Sequence, residues 1–463
     1  QNEAQWTEWE QLFAISELPK DLFNGGATSD RMTILKQQAY LVLDTHFFSD
    51  EFKYRLLAEF DNLDEQADGL LINSENFQAL ELLQEKYKNQ AKCIYIDPPY
   101  NTEKDRRDGK FIYKDSFEHS SWMTMMNQTS INSRNLLDDD GALFVSCDEN
   151  EFLNLGKLLN VNYGKNNHIE TITWNKRIPK NDKGIGNIHE YIYLFTKNFS
   201  VRKEKDLGFK MLKDSLEDIY TLVKKCKSKG EPLEETQRKL KQFYKKNGFD
   251  RGITLYCEID KNYEIWGKIN MSWPSANGEG ERYEVINPVT RKPVPIPKKG
   301  WRWKKDTFDN AEANGFEFIL PDGSMMKGRI WYANDTKTQP SSITYLKEVE
   351  SFLLRSILSL KSNGSLSLED QGLGNIVDYP KPVKLLKRLI YSTSIEHGLF
   401  IDFFAGSGTT GEAIISLNRE DKAERKFLLI EMGSYFDSVT KPRIQKVIYS
   451  EDWKDGKPVS RKG

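Results

Sequence analysis

Lys92-Cys93-Ile94-Tyr95-Ile96-Asp97-Pro98-Pro99-Tyr100-Asn101 is the stretch from which the fold of this 463-residue chain is read. Ile94 to Ile96 is an apolar run of β-branched and aromatic residues, which predicts a short buried strand. The run ends at an acid followed at once by two prolines. Proline fixes φ and has no N–H to donate, so the strand must stop and the chain turns away rigidly. A carboxylate, the Pro98 carbonyl and an aromatic ring are thereby held together where a strand's C-terminal end meets solvent. In open α/β sheets ligands bind along that edge.

Those groups suit one task, holding an exocyclic amine on a planar base. The amine of adenine or cytosine is a poor nucleophile, because its lone pair is delocalised into the ring. The Asp97 carboxylate and the Pro98 carbonyl can accept its two protons and draw the nitrogen towards sp3. The Tyr100 ring can stack on the base once it leaves the duplex. Asp97-Pro98-Pro99-Tyr100 after a strand resembles the catalytic motif of amino-directed DNA methyltransferases. A strand-end acid beside a packed tyrosine reads the same over four residues, so a second site is required.

That site is Gly398-Leu399-Phe400-Ile401-Asp402-Phe403-Phe404-Ala405-Gly406-Ser407-Gly408-Thr409-Thr410-Gly411. The pattern predicts a strand over Leu399 to Phe404, a glycine-rich turn, and a helix from Thr409 to Leu417. Gly406 and Gly408 allow positive φ and close approach of a ligand to the backbone. No lysine follows the glycines, as a phosphate loop would require. Asp402 at the strand end can take the ammonium of an amino-acid-like cofactor. The next strand, Lys426 to Ile430, ends at Glu431, placed for ribose hydroxyls as in nucleotide-binding sheets. This pattern resembles the S-adenosylmethionine site of methyltransferases, with Asp402, Phe403, Ala405, Gly406, Ser407, Gly408, Thr409 and Glu431 as its cofactor residues. By the same resemblance Asp97 also borders the cofactor.

Around these two sites the chain falls into four stretches. Residues 1–68 read as helical and carry no catalytic motif, which gives them a packing or dimerisation role. From 69 to 198 runs the catalytic half of the core. Leu70 to Ile72 is a short strand, Asn73-Ser74-Glu75-Asn76 can cap a helix through Leu80, Leu83 and Tyr87, and the Asp97 strand follows, a β-α-β unit. Asn101 to Asp115 reads as a mobile loop over the pocket, and Trp122-Met123 opens a helix. Further strands are expected at Gly141 to Asp148, Ile169 to Trp174 and Tyr191 to Thr196. Between the last two, Lys176 to Gly186 is basic, so Lys176, Arg177, Lys180 and Lys183 are expected near a DNA backbone.

Residues 199–345 differ in texture. Lys203 to Asn247 is charged and helical, broken at Lys229-Gly230-Glu231-Pro232, so a helical hairpin is expected. A strand-and-turn stretch then interleaves basic and aromatic residues, including Lys298-Lys299-Gly300-Trp301-Arg302-Trp303. Such a mixture serves phosphate and base contact, with Arg302 a candidate, or equally a small β-rich domain packing its own tryptophans. From 346 to 463 the core resumes. Tyr379-Pro380-Lys381-Pro382 precedes an amphipathic helix over Val383 to Tyr391, and the resemblance places Lys381 in the cofactor pocket.

The catalytic motif precedes the cofactor motif, with the inserted block between them, an order similar to the β class of amino methyltransferases. Trp301-Arg302-Trp303, Lys441-Pro442-Arg443-Ile444 and Asp452-Trp453-Lys454-Asp455-Gly456-Lys457-Pro458 look most like modification subunits of type III restriction-modification systems. That resemblance implies an α/β fold, a mostly parallel seven-stranded Rossmann-like sheet of permuted motif order with an inserted target-recognition region. It implies N6-methylation of a flipped-out adenine in double-stranded DNA, a homodimer, and a restriction (nuclease/helicase) subunit as a possible partner. Cytosine N4 or RNA methylation, or a DNA-reading subunit with S-adenosylmethionine as an allosteric ligand, are the alternatives. Asn73-Ser74 stands where the family usually shows Gly-Asp, and the chain stops soon after Pro458, where such subunits continue.

Composition limits the classes without choosing among them. With 67 basic against 69 acidic residues there is no global basic surface, so phosphate contacts must come from local patches. Four cysteines are scattered without metal-ligand spacing, which fits a reducing cytoplasm, and no metal is expected. No apolar run approaches the ~20 residues of a membrane span, and no signal peptide is expected. Gln1 in place of Met suggests trimming at the start. No Pro-Cys dipeptide occurs, which argues against cytosine C5 chemistry.

Overall fold

The Asp97 strand does form, and it starts earlier than its apolar core suggested. In the computed structural model it spans Ala91–Ile96 and is buried almost throughout. The structure describes residues 2–15, 31, 35–36, 38–102, 119–177, 186–212, 216–249, 251–274, 277–374 and 376–459. These divide into two units, Gln1–Lys210 with Leu353–Gly463, and Met211–Phe352.

The larger unit is built on one sheet. In chain order its strands are β1 (Gly69–Asn73), β2 (Ala91–Ile96), β3 (Leu137–Cys147), β4 (His168–Asn175), β5 (His189–Thr196), β6 (Ile357–Ser359), β7 (His397–Asp402) and β8 (Glu424–Glu431). They lie side by side as β1-β8-β7-β2-β3-β5-β4-β6. Every neighbouring pair is parallel except those made by β5, which runs against both β3 and β4. The sheet is thus mostly parallel as expected, with eight strands rather than seven. The extra one, β6, is a three-residue edge strand defined by its pairing with β4, Leu358 opposite Trp174.

The two strands latest in the chain are inserted between the two earliest. Parallel register sets Phe400 beside Cys93 and Ile401 beside Ile94. Strands buried on both faces read as continuous apolar runs, and the inner residues of β2, β3, β7 and β8 share one core. Ile94, Leu143, Ile401 and Leu428 belong to it, with Leu80 and Leu83 of the helix Asn76–Tyr87 and Trp122 of the helix His119–Leu136. Glu75 caps the first of these helices, accepting from the Gln78 amide; the polar run ahead of it supplied several candidates.

The N-terminal helix Glu3–Phe13 packs Trp6, Trp9 and Phe13 against Tyr449 and Trp453. Phe13 and Tyr449 meet at 4.5 Å between ring centroids. No helix among the described residues is long and apolar enough to cross a membrane. Where the chain leaves the larger unit and returns, the Leu354 amide donates to the Phe209 carbonyl at 2.9 Å.

In the smaller unit, the helices Leu216–Ser228 and Leu233–Asn247 form the hairpin, the second closed by Gly248 at φ 66°. Beside them is a six-stranded antiparallel sheet. Trp266 and Trp301 are wholly buried, so the tryptophans of this unit are chiefly its own core.

Leu428 is fully buried on β8. Leu428→Ala is expected to lower the unfolding free energy by about 2–5 kcal/mol. Urea unfolding, with an unchanged slope and a lower midpoint, checks this.

Candidate active site

Strand β2 ends at Ile96, and the turn it releases is held from behind. The Trp122 indole N–H donates to the Pro99 carbonyl at 2.8 Å, which fastens the second proline to the helix His119–Leu136. Asn101 follows at φ 60°, and its side-chain amide donates to Glu151 at 2.7 Å. Asp97 and Tyr100 are thereby brought to the same side of the turn. Tyr100 Oη lies 2.7 Å from Asp97 Oδ1.

Lys381 comes to this turn from 284 residues away. Its Nζ donates to Asp97 Oδ2 at 2.6 Å and to the Tyr100 hydroxyl at 2.9 Å, and stands 4.9 Å from the centre of the tyrosine ring. Pro380 and Pro382 bracket the lysine, Pro382 in extended backbone, ahead of the helix Val383–Ser392, whose Leu385, Leu386, Leu389 and Ile390 are buried. A second carboxylate, Glu190, completes the group. Its Oε2 is 3.1 Å from Tyr100 Oη and 3.3 Å from Lys381 Nζ, and its Oε1 accepts from Lys176 at 2.8 Å.

Burial alone would push the Glu190 acid upward. The Lys381 and Lys176 ammoniums outweigh it and hold the group at about 2. Burial likewise disfavours charge on Lys381, yet Asp97 and Glu190 together raise it. The Tyr100 phenol is pushed well above its ordinary range by burial and by both acids, so it stays a neutral hydroxyl.

On the neighbouring strand, β7, the glycine-rich turn is equally fixed. Gly406 and Gly408 take φ of 54° and 83°, as their positions require. Asp402 is buried, its Oδ1 accepting from the Phe404 amide at 3.0 Å and its Oδ2 from the Thr410 hydroxyl at 2.5 Å. Glu431 receives the Gly406 amide at 2.7 Å and the Gly433 amide at 2.6 Å, so it braces the turn itself. Phe403 and Ala405 are buried, and the Ala405 amide bonds the Ile430 carbonyl. Arg443 supports the turn from beneath. Its guanidinium donates to Ser407 Oγ at 2.6 Å, Thr409 Oγ1 at 2.9 Å and Glu412 at 2.6 Å. Helix Thr409–Asp421 then starts with no side chain capping its first amides.

Of the residues expected near DNA, Lys176 is turned inward onto Glu190 and its side chain is 12% exposed. Arg177 is exposed at the end of β4, and Arg302 is exposed in the smaller unit. Lys180, Lys183 and most of the loop expected over the pocket, residues 103–115, lie outside the described residues. Sequence reasoning missed Glu190, because a lone acid opening an apolar strand carries no local signal. Strand direction supplies one: β5 is antiparallel, so its first residues lie at the same edge as the last residues of β2. Among the described residues no cluster of three or more His, Cys, Asp or Glu side chains suits a metal ion.

With this geometry in place, a family profile described as DNA methylase matches residues 91–441. The chain belongs to the DNA methylase family. The chain is similar to the Mod subunit of the type III restriction-modification enzyme EcoP15I of Escherichia coli, at 28% identity over 397 residues, 78% of this chain and 58% of that one. It is also similar to the StyLTI Mod subunit of Salmonella typhimurium, at 26% identity over 412 residues, 82% and 54% of the two chains. The chain thus spans a little over half the length of these relatives. A solved M1.HpyAVI–SAM complex aligns with a TM-score of 0.36 at 13% identity, over 81% of this chain and 98% of that one.

Burial, with Asp97 and Glu431 adding to it, raises the Asp402 acid from 3.8 to about 7 against the pull of its two hydrogen bonds. An acid whose folded pKa is raised favours the fold fully below its unfolded value and loses that contribution as pH rises through the folded one. Asp402→Asn is therefore expected to flatten the decline in stability between about pH 4 and 8, by about 4 kcal/mol at most. Urea midpoints of both proteins across that range check it.

Proposed function

We propose that this methylase transfers a methyl group from S-adenosylmethionine to the N6 amine of an adenine flipped out of double-stranded DNA, as the modification subunit of a restriction-modification system. A homodimer and a separate nuclease/helicase subunit belong to the same proposal. The observation that carries it is the direct pairing of β7 with β2, which sets the glycine-rich turn and the Asp97 turn at the ends of adjacent strands. Adjacent strands lie only about 5 Å apart.

The residues present suit the cofactor. The space beside Gly406 is open, a Cβ there meeting nothing nearer than 4.0 Å, and the first amides of the following helix are uncapped. Asp402, Phe403, Ala405, Gly406, Ser407, Gly408, Thr409 and Glu431 are the residues that would hold it, with Lys381 and Asp97 along its border. When bound, S-adenosylmethionine supplies an electrophilic sulfonium methyl. Flipping the base costs a few kcal/mol, and Tyr100 recovers part of that by stacking. Asp97 and the Pro98 carbonyl would accept hydrogen bonds from the two amine hydrogens and turn the nitrogen lone pair out of the ring. Orientation of this kind is the main source of rate in a displacement that needs no covalent enzyme intermediate. As the N–C bond forms, the S–C bond of the sulfonium breaks, leaving a neutral thioether, and the methylated nitrogen then loses one proton to solvent. The region 199–345 serves as the target reader, with Arg302 among its contacts. Arg177, Lys180 and Lys183 are proposed to contact the DNA backbone, while Lys176 stays on Glu190.

Transfer of tritium from labelled cofactor to unmethylated genomic DNA tests the reading. Asp97→Ala is expected to reduce transfer by about 10²-fold or more while DNA binding persists. Undiminished transfer would remove Asp97 from the chemistry. Nucleoside analysis of the product is expected to show N6-methyladenine; N4-methylcytosine would reassign the base.

A further inference from the structure

The ammonium of Lys381 occupies a place that the substrate needs. It donates to Asp97 Oδ2 at 2.6 Å, within a site where its own side chain is only 10% exposed. An incoming amine must share or take that oxygen. A buried ammonium cannot give up its counter-charge without a large desolvation cost, so it needs another carboxylate within reach. Glu190 Oε2, 3.3 Å from the same Nζ, is that carboxylate.

Three features suit Glu190 to the task. Its other oxygen is tied to Lys176, which fixes the side chain without using Oε2. It sits at the start of β5 opposite Trp174, held in the ladder between β4 and β5. The group as a whole holds two carboxylates and two ammoniums, so exchanging partners leaves its net charge unchanged. Asp148, Tyr95 and Cys147 are the other titratable groups within electrostatic reach of Glu190, and Asp402 faces Asp97.

We propose that Glu190 is a positioning residue for methyl transfer, taking over the Lys381 ammonium when the substrate amine occupies Asp97. This rests on the methyltransferase reading above. Glu190→Gln keeps the shape and an acceptor for Lys176 but removes the charge.

Single-turnover transfer of tritium from S-adenosylmethionine to unmethylated genomic DNA, with the full chain, is the measurement. E190Q is expected to slow the transfer step about 10²-fold, with cofactor and DNA binding unchanged. Its alkaline fall-off in rate is expected at lower pH than that of the wild type, because Lys381 has lost one of two acids that keep it protonated. Lys176→Met, which removes only the outer ion pair, is expected to cost far less. Equal losses in E190Q and K176M, or a wild-type rate and pH profile in E190Q, overturn the proposal. Should E190Q not fold, Glu190→Asp carries the test: a reduced rate with an unmoved alkaline fall-off supports it, and a wild-type rate overturns it. A wild-type protein that transfers no methyl to any DNA sinks the methyltransferase reading instead.

Discussion

The parallel ladder between β2 and β7 is the contact on which the rest depends. Its partners are about three hundred residues apart in the chain, yet they are nearest neighbours in the sheet. Closing so long a loop costs little more than closing one half its length, because the entropy grows only logarithmically. What the ladder must supply is register. A slip of one residue would turn every side chain to the opposite face. It would also carry the glycine turn out of step with the Asp97 turn. Apolar residues on both strands, Ile94 against Ile401 among them, hold that register from both faces.

At this edge the sheet gathers acids of different character. Asp402 and Asp148 are raised to about 7 and about 6 by burial, whereas Glu190, largely shielded from solvent, is held at about 2. The difference lies in their partners. Glu190 has two ammoniums within ion-pair distance, while Asp402 has a backbone amide and a hydroxyl, and Asp148 an amide and the side chain of Asn150. Neutral donors cannot repay the loss of water as a full positive charge does. The Glu190 side of the site is therefore fixed in its ionisation, and the Asp402 side is not.

Much of the architecture was legible because the local signals agree. Asp97-Pro98-Pro99 stops its strand by steric necessity, and Gly406 and Gly408 sit where positive φ is required. Helix Val383–Ser392 announces its buried stripe through Leu385, Leu386, Leu389 and Ile390. The misses have a common cause: each depends on a partner distant in sequence. β6 has three residues and exists through its pairing with β4. Glu190 gains its neighbours from the antiparallel direction of β5. Lys176 belongs to a basic run by composition, but its side chain is directed by the acid across the ladder. Glu431 and Asp402 were read as ligand groups from their strand-end positions. Their bonds to Gly406, Gly433, Phe404 and Thr410 show that each also shapes the turn.

The hydrogen bond between the Leu354 amide and the Phe209 carbonyl has an evolutionary corollary. The chain leaves the larger unit and re-enters it at two points that touch, so whatever is spliced between them need only begin and end side by side. Neither the eight-stranded frame nor its chemistry has to be rebuilt when that cassette is exchanged. A lineage can thus exchange the smaller unit by recombination while the larger one is inherited intact.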